Sequence, residues 1–496
     1  MRRGPMSTTT DRHVVGETSR GAVRGAWREG SAAFLGIPFA EPPFGDLRLL
    51  APVRRAPWPG VRDALVHAPT PQRRALAEVT TIPEPSIPGE DVLTVDVFTP
   101  QPSGTDLLPV LVYVHGGGFV AGSPASPWYD GAAFNRDGVV TVTVSYRLGF
   151  EGFGWVPDAP ANRGVLDWLL ALEWVREEIS AFGGDPRRVT IAGQSAGGGA
   201  VLTLLTLPRA RGLFARALCM SGSPGDVPLA AAQATTGALA ARLGVPADRA
   251  GICAVAEADL IEATDWVQPP PDPSLDDLLG GMRAMAGGRS LGPVVDGDLV
   301  PWTVSEGLRV GAGSDVPLLM GSTRGEFSRV PLLFRRLFDD ATVPGVLDRL
   351  GLPPELAARY AAALPGSHPA EVVGQYISDA VFRRRVVEWA ALRRGAAPTW
   401  VYDFAWPSTV SGIAEHCLDV PFAFDLLDDP DVTRVAGPDA PQSLADAVHG
   451  AVVAFATDGD PGWPSCSGDT EPVMVFDAVS GTAPGRYDSA RVLAAR

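Results

Sequence analysis

Residues Gly193-Gln194-Ser195-Ala196-Gly197 form a G-x-S-x-G pentapeptide. Val189-Thr190-Ile191 before it reads as a short buried strand, and Ala200 to Leu207 after it continues as an apolar helix. A serine at the apex of such a strand-to-helix turn is held in a strained conformation with its hydroxyl above the sheet, which makes Ser195 a candidate nucleophile. The flanking glycines let strand and helix pass without Cβ clashes. A chain with 56 glycines could present this pentapeptide by chance, so its chemical partners have to be found.

A serine needs a positioned base, and the base needs a carboxylate to set its tautomer. Of the six histidines, His13 lies near the N-terminus, His67 in an early loop, His115 ahead of a glycine run, His368 in a helical stretch and His449 within a helix. Only His416 lies in a late loop just after a strand, Thr399 to Phe404. Where an elbow of this kind carries the nucleophile, the chain order is serine, acid, histidine. Glu326, six residues beyond Met320 at the end of a strand, fits the acid; Asp296, in Val-Val-Asp-Gly, is the alternative and could equally belong to a plain turn. His115-Gly116-Gly117-Gly118-Phe119 follows the apolar run Val110 to Val114. Backbone N–H groups of such a triplet can point at an anion, as a carbonyl oxygen becomes during acyl transfer, and losing one such donor typically costs about 10²–10³ in rate. A flexible turn is the plainer alternative.

These residues must be carried on strands and helices in a particular order. Val14 to Arg24 reads as a hairpin, Asp91 to Phe98 and Val139 to Tyr146 as strands, and residues 163–181 as an amphipathic helix with Val165, Leu169, Leu172, Val175 and Ile179 on one face. Strand, helix and strand in succession imply a right-handed parallel crossover, hence a doubly wound, mostly parallel sheet with its sites at the carboxyl ends of strands. Further strands are expected at Ala217 to Met220, Pro317 to Gly321 and Val473 to Phe476, with a helix over 443–457. Two helical insertions are expected at about 228–290 and 327–396 in a single catalytic domain spanning 14–490, after a disordered tail over 1–13.

Composition narrows the chemistry further. The net charge of −16 opposes binding to nucleic acid or anionic membranes, and no apolar run is long enough to span a bilayer. Met1 to His13 lacks the apolar core of a secretory signal, so a cytoplasmic location is expected. All 41 basic residues are arginine, which excludes lysine Schiff bases, a phosphate-loop lysine and Ser-Lys hydrolysis. Cys219, Cys253, Cys417 and Cys466 are scattered, arguing against a zinc site or a disulfide framework. No metal or cofactor is expected.

Taken together, the motifs resemble the type-B carboxylesterase family, which includes the para-nitrobenzyl esterases and has the α/β-hydrolase fold. They are Phe-Leu-Gly-Ile-Pro-Phe-Ala-Glu-Pro-Pro-Phe-Gly at 34–45, Gly-Glu-Asp at 89–91, His-Gly-Gly-Gly-Phe at 115–119 and Phe-Gly-Gly-Asp-Pro at 182–186. Gly-Gln-Ser-Ala-Gly-Gly at 193–198, Gly-Leu-Phe at 212–214, Ser-Gly-Ser at 221–223 and the stretch from His416 to Phe424 complete the set. The resemblance implies a small-molecule ester as substrate, Ser195 as nucleophile, Glu326 as acid and His416 as base. It implies an oxyanion hole from the N–H groups of Gly117, Gly118 and Ala196, with Ser221 supporting the triad by hydrogen bonding. Phe119, next to the glycines, is a candidate for the substrate pocket. The chain departs from the family pattern at Ser145-Tyr146-Arg147, at Thr323-Arg324-Gly325-Glu326, and at Val92, where many relatives have a cysteine. Residues 70–93 contain no aromatic side chain, so choline esters are not expected to be favoured. Acyl transfer through the same acyl-enzyme, and a non-catalytic binding role on the same fold, are the alternative functions.

Overall fold

The computed structural model describes residues 13–74, 81–102, 104, 106–264, 272–466 and 472–494. The strands in chain order are β1 (His13–Thr18), β2 (Gly21–Arg28), β3 (Ser31–Pro38), β4 (Val61–Asp63), β5 (Thr94–Thr99), β6 (Leu108–Val114), β7 (Val140–Val144) and β8 (Gly184–Gln194). They continue as β9 (Arg216–Met220), β10 (Val227–Pro228), β11 (Val294–Val295), β12 (Leu318–Thr323), β13 (Thr399–Phe404), β14 (Val473–Phe476) and β15 (Gly481–Ala483). Of the stretch expected to be a tail, 1–12 lies outside the described residues. His13 is a correction to that expectation, because it opens β1 and pairs with Ala26 of β2.

Thirteen strands join in one sheet in the order β1-β2-β3-β5-β7-β6-β8-β9-β12-β13-β14-β15, with β4 paired to β2. From β7 through β14 every neighbouring pair is parallel. The N-terminal side, β1-β2-β3-β5-β7, is joined by antiparallel pairs. β6 illustrates why the centre is so apolar. Val110, Val112 and Val114 pack into the core on one face of the sheet, while Leu111 and Tyr113 pack into the core on the other. A strand covered on both faces needs apolar residues at every position, not at alternate ones.

The chain passes from β6 to β7 on one side and then returns to β8 on the other, which leaves a crevice beyond the carboxyl end of β6. The return is made by the helix Arg163–Glu178, which buries Val165, Leu169, Leu172 and Val175 as the spacing predicts. After β8 the chain turns into the helix Ala196–Thr206. The turn is so tight that a Cβ on Gly197 would stand 2.0 Å from the Val114 carbonyl oxygen, and one on Gly193 would stand 2.5 Å from the Gly197 carbonyl oxygen. Only glycine fits at either place.

The two long stretches between core strands are helical. The first carries Leu229–Leu243, Arg249–Cys253, Glu257–Ala263 and Leu275–Ala286. The second carries Arg329–Leu333, Val343–Arg349, Pro354–Ala362, Pro369–Ser378 and Arg384–Leu392, with a π-helical turn at Asp379–Arg383. Leu278, Leu279 and Met282 of the first pack with Phe338, Tyr360 and Ile377 of the second in one apolar cluster, so the two stretches brace each other. Among the described residues no helix is long and apolar enough to cross a membrane.

Candidate active site

Ser195 occupies the turn between β8 and its helix with φ 58° and ψ −120°, a region that side-chain-bearing residues rarely adopt. The surrounding backbone holds it there. Its N–H donates to the Met220 carbonyl at 2.9 Å, and its carbonyl accepts from Gly199 at 2.9 Å and Ser223 at 3.0 Å. The strained turn is thus clamped between the ends of β8 and β9, and the side chain is 6% exposed.

His416 Nε2 lies 3.0 Å from Ser195 Oγ. The other ring nitrogen, Nδ1, is hydrogen-bonded to Glu326 Oε2. Glu326 Oε1 accepts from the Thr323 N–H at 3.0 Å, and the Glu326 carbonyl accepts from the His416 N–H at 2.9 Å, so acid and histidine are tied through backbone as well as side chain. Phe327 and Phe382 lie against the imidazole, each with its centroid 4.8 Å away, and limit how it can tilt. The end of β12 that presents the acid is held by the buried Arg383, whose Nη1 donates to the Thr323 carbonyl at 3.2 Å and to Asp403 at 2.8 Å.

Other candidates are used elsewhere. Asp296 accepts from Asn162 and from the N–H groups of Asp298 and Val300, the plain turn that was its alternative reading. His115 stacks on Tyr146 with its Nδ1 against the Gly116 carbonyl, and burial pulls it down to about 4. His67 pairs with Asp96, His449 with Asp137, and His368 caps a helix.

The glycine run follows β6 into the crevice. The Gly117 carbonyl accepts from both Val120 and Ala121, which fixes the loop as a tight turn, and a Cβ on Gly116 would stand 3.2 Å from Ser195 Cβ. Among the described residues, the N–H groups of Gly117, Gly118 and Ala196 donate to no protein acceptor. A serine hydroxyl, an imidazole bonded to a carboxylate, and backbone N–H groups without a protein acceptor among the described residues meet at one point, an arrangement of the kind that acyl transfer from an ester requires.

Residues 12–341 match the carboxylesterase family. The chain is 32% identical to the para-nitrobenzyl esterase of Bacillus subtilis (strain 168), over 94% of this chain and 95% of that one. A solved PNB esterase structure superposes with a TM-score of 0.82 at 30% identity, covering 97% of this chain and 99% of its own. A Geobacillus stearothermophilus carboxylesterase structure gives 0.81 at 32% identity, covering 96% and 99%.

The chain belongs to the carboxylesterase family. Its fold is that of the α/β-hydrolases, and its reaction is carboxylic-ester hydrolysis.

Within this carboxylesterase, two expectations meet a different arrangement. Ser221 has a positive φ of 46° and its N–H donates to the Gly321 carbonyl, but its buried Oγ meets no hydrogen-bond partner among the described residues. The turn after β9 therefore holds Ser221 through its backbone, without the side-chain bond to the candidate triad that the resemblance implies. Phe119 is fully buried against Phe153 and Trp168, which leaves no part of its ring open to a ligand. A core role follows from that packing.

Sequence reasoning missed Gln194, whose amide nitrogen lies 3.3 Å from His416 Nε2, and the two phenylalanines against the imidazole. Phe327 directly follows Glu326, so its nearness was open to inference; Phe382 sits in the π-helical turn of a distant insertion and left no local signal. Asp419 was also missed. It is fully buried, accepts from Tyr402 Oη at 2.8 Å, and is pushed up from 3.8 to about 7 by burial and then by the Glu326 charge. Because the folded protein holds a proton there that the unfolded chain releases, stability is expected to fall as pH rises from about 4 through about 7. Asp419→Asn should remove that dependence. Urea unfolding at pH 5 and pH 8 should show the variant gaining on the wild type by on the order of 3 kcal/mol between the two. A constant difference would place the titration elsewhere.

Proposed function

We propose that this carboxylesterase cleaves small esters through an acyl-enzyme on Ser195. His416 takes the serine proton as Oγ attacks the ester carbonyl. The developing oxyanion is held by the N–H groups of Gly117, Gly118 and Ala196, and His416 returns the proton to the leaving alcohol. Water then repeats the sequence on the acyl-enzyme. Glu326 keeps Nδ1 protonated, so that Nε2 faces the serine as an acceptor, and stabilises the imidazolium when it forms. The observation that carries the reading is the 3.0 Å approach of His416 Nε2 to Ser195 Oγ, with Glu326 on the opposite ring nitrogen.

The helical insertions are part of this proposal as the cap of the site. Support comes from Phe327 and Phe382, which belong to the second insertion and rest against the imidazole. A cytoplasmic location belongs to it too and is checked by cell fractionation. Para-nitrobenzyl and p-nitrophenyl esters are suitable probes, given the likeness to a para-nitrobenzyl esterase.

Covalent labelling tests the nucleophile directly. A fluorophosphonate should inactivate the enzyme with one adduct per chain, carried on the peptide containing Ser195. Labelling of a different serine, or inactivation with no adduct, would refute the assignment.

A further inference from the structure

Among the described residues one cation beside the site, Arg289, has no counter-charge. Arg289 lies in the connection from the helix Leu275–Ala286 to β11, and that connection is packed down on the site. A Cβ on Gly292 would stand 3.1 Å from the Phe119 ring and 3.0 Å from Gly225 Cα. From there the Arg289 side chain reaches back over the glycine run, placing Nη1 2.8 Å from where a Cβ on Gly118 would stand. Gly118 is thus the residue at which the guanidinium and the open N–H donors come together.

Three arginines buried in the core, Arg147, Arg163 and Arg383, have their acceptors within the fold. Arg147 is paired with Asp167, Arg163 donates to the carbonyls of Phe150 and Gly154, and Arg383 is paired with Asp379 and Asp403. Arg289 differs: among the described residues it has no ion pair, hydrogen bond or ring contact. It is half-buried, and burial, with no neighbouring carboxylate to oppose it, pulls it down to about 10. A partly desolvated guanidinium without an acceptor is unfavourable in the free protein. Its planar fork of donors suits a carboxylate, which it can take by two parallel hydrogen bonds.

The sheet order says which half of an ester could supply that carboxylate. Ser195 follows β8, the glycine run follows β6 on one side of it, and His416 follows β13 on the other. The leaving alcohol must lie toward the imidazole that protonates it. A group above Gly118 lies away from the imidazole and so belongs to the acyl half.

We propose that Arg289 binds a carboxylate on the acyl half of the substrate, so that this enzyme favours half-esters of dicarboxylic acids over neutral esters of the same length. The proposal rests on the reading of Ser195 as the ester-cleaving nucleophile.

Monomethyl glutarate and dimethyl glutarate, assayed by methanol release, test it. Wild-type enzyme should show the higher kcat/KM on the half-ester, and added salt should reduce that preference. Arg289→Gln should lower the ratio of kcat/KM for half-ester to that for diester by about 10- to 100-fold, and Arg289→Lys should restore part of it. Because the readout is a ratio within one protein sample, partial misfolding of a variant does not alter it. An unchanged ratio would overturn the proposal. So would a wild-type preference for an ester carrying its carboxylate on the alcohol, such as 4-acetoxybutyrate, if Arg289→Gln abolished that preference instead. Cleavage of the diester with no preference for the half-ester would remove Arg289 while leaving the nucleophile assignment intact. Failure to cleave either ester, or any p-nitrophenyl ester, would remove both.

Discussion

Ser195→Ala is expected to lower turnover of a p-nitrophenyl ester by roughly 10⁶ while leaving the protein folded. Among the described residues the Ser195 hydroxyl makes its side-chain hydrogen bond to His416 alone, and the turn around it is held by backbone bonds to Met220, Gly199 and Ser223 that alanine retains. Alanine carries the same Cβ into the same positive-φ position, so the variant inherits the strain of the turn and adds none. What disappears is the atom that forms the acyl-enzyme. The N–H groups of Gly117, Gly118 and Ala196 would remain able to polarise a carbonyl, which is the usual source of the residual rate in serine-deleted hydrolases. The measurement is kcat beside the thermal unfolding midpoint. Retention of most of the activity in a normally folded variant would end the assignment.

Glu326→Gln should cost about 10⁴ in kcat, the scale seen when a triad acid is replaced by its amide. The geometry gives the reason. One carboxylate oxygen accepts from the Thr323 N–H at 3.0 Å and the other is bonded to His416 Nδ1. If the glutamine turns its NH₂ toward Nδ1, that nitrogen must become the acceptor, the proton moves to Nε2, and the base can no longer take a proton from Ser195. If it turns its oxygen toward Nδ1, the NH₂ faces the Thr323 N–H, donor against donor. The first orientation keeps both bonds but reverses the tautomer, and the second keeps the tautomer but loses the bond to Thr323. Glu326→Asp keeps the charge but shortens the reach, so it should be impaired without the tautomer reversal. A Glu326→Gln enzyme within about tenfold of wild type would show that the carboxylate does not set the imidazole's protonation.

The residues proposed to carry chemistry were legible as candidates because most of their signals are local. The elbow around Ser195 needs glycine at 193 and 197 for steric reasons that act within five residues, and the run at 116–118 announces itself at the end of a buried strand. Central strands were legible for a related reason: burial on both faces of β6 demands the continuous apolar text of Val110 to Val114, and the short run Val189-Thr190-Ile191 marks β8. His416 and Glu326 were singled out as candidates by elimination and by strand-end position, since few histidines were available and the order along the chain is constrained by the fold.

What the linear text could not contain is where distant side chains point once the sheet forms. Ser221 and Phe119 sit in recognisable motifs, yet the first is held by its backbone and the second is packed into the core. Phe382 and Arg289 lie in stretches with no motif, and they matter only because helix packing and the return of the chain to the sheet bring them beside the imidazole and the glycine run; Asp419 lies within the 416–424 motif, yet its burial and its nearness to Glu326 are set by the fold. The sequence by itself determined the sheet's apolar strands, the elbow and the candidates for the reacting groups, because those depend on steric and burial requirements of neighbouring residues. Tertiary structure alone decided the environment of those groups, their packing, their charge neighbours and the unpaired guanidinium, because these are set by contacts between residues far apart along the chain, which local pattern does not encode.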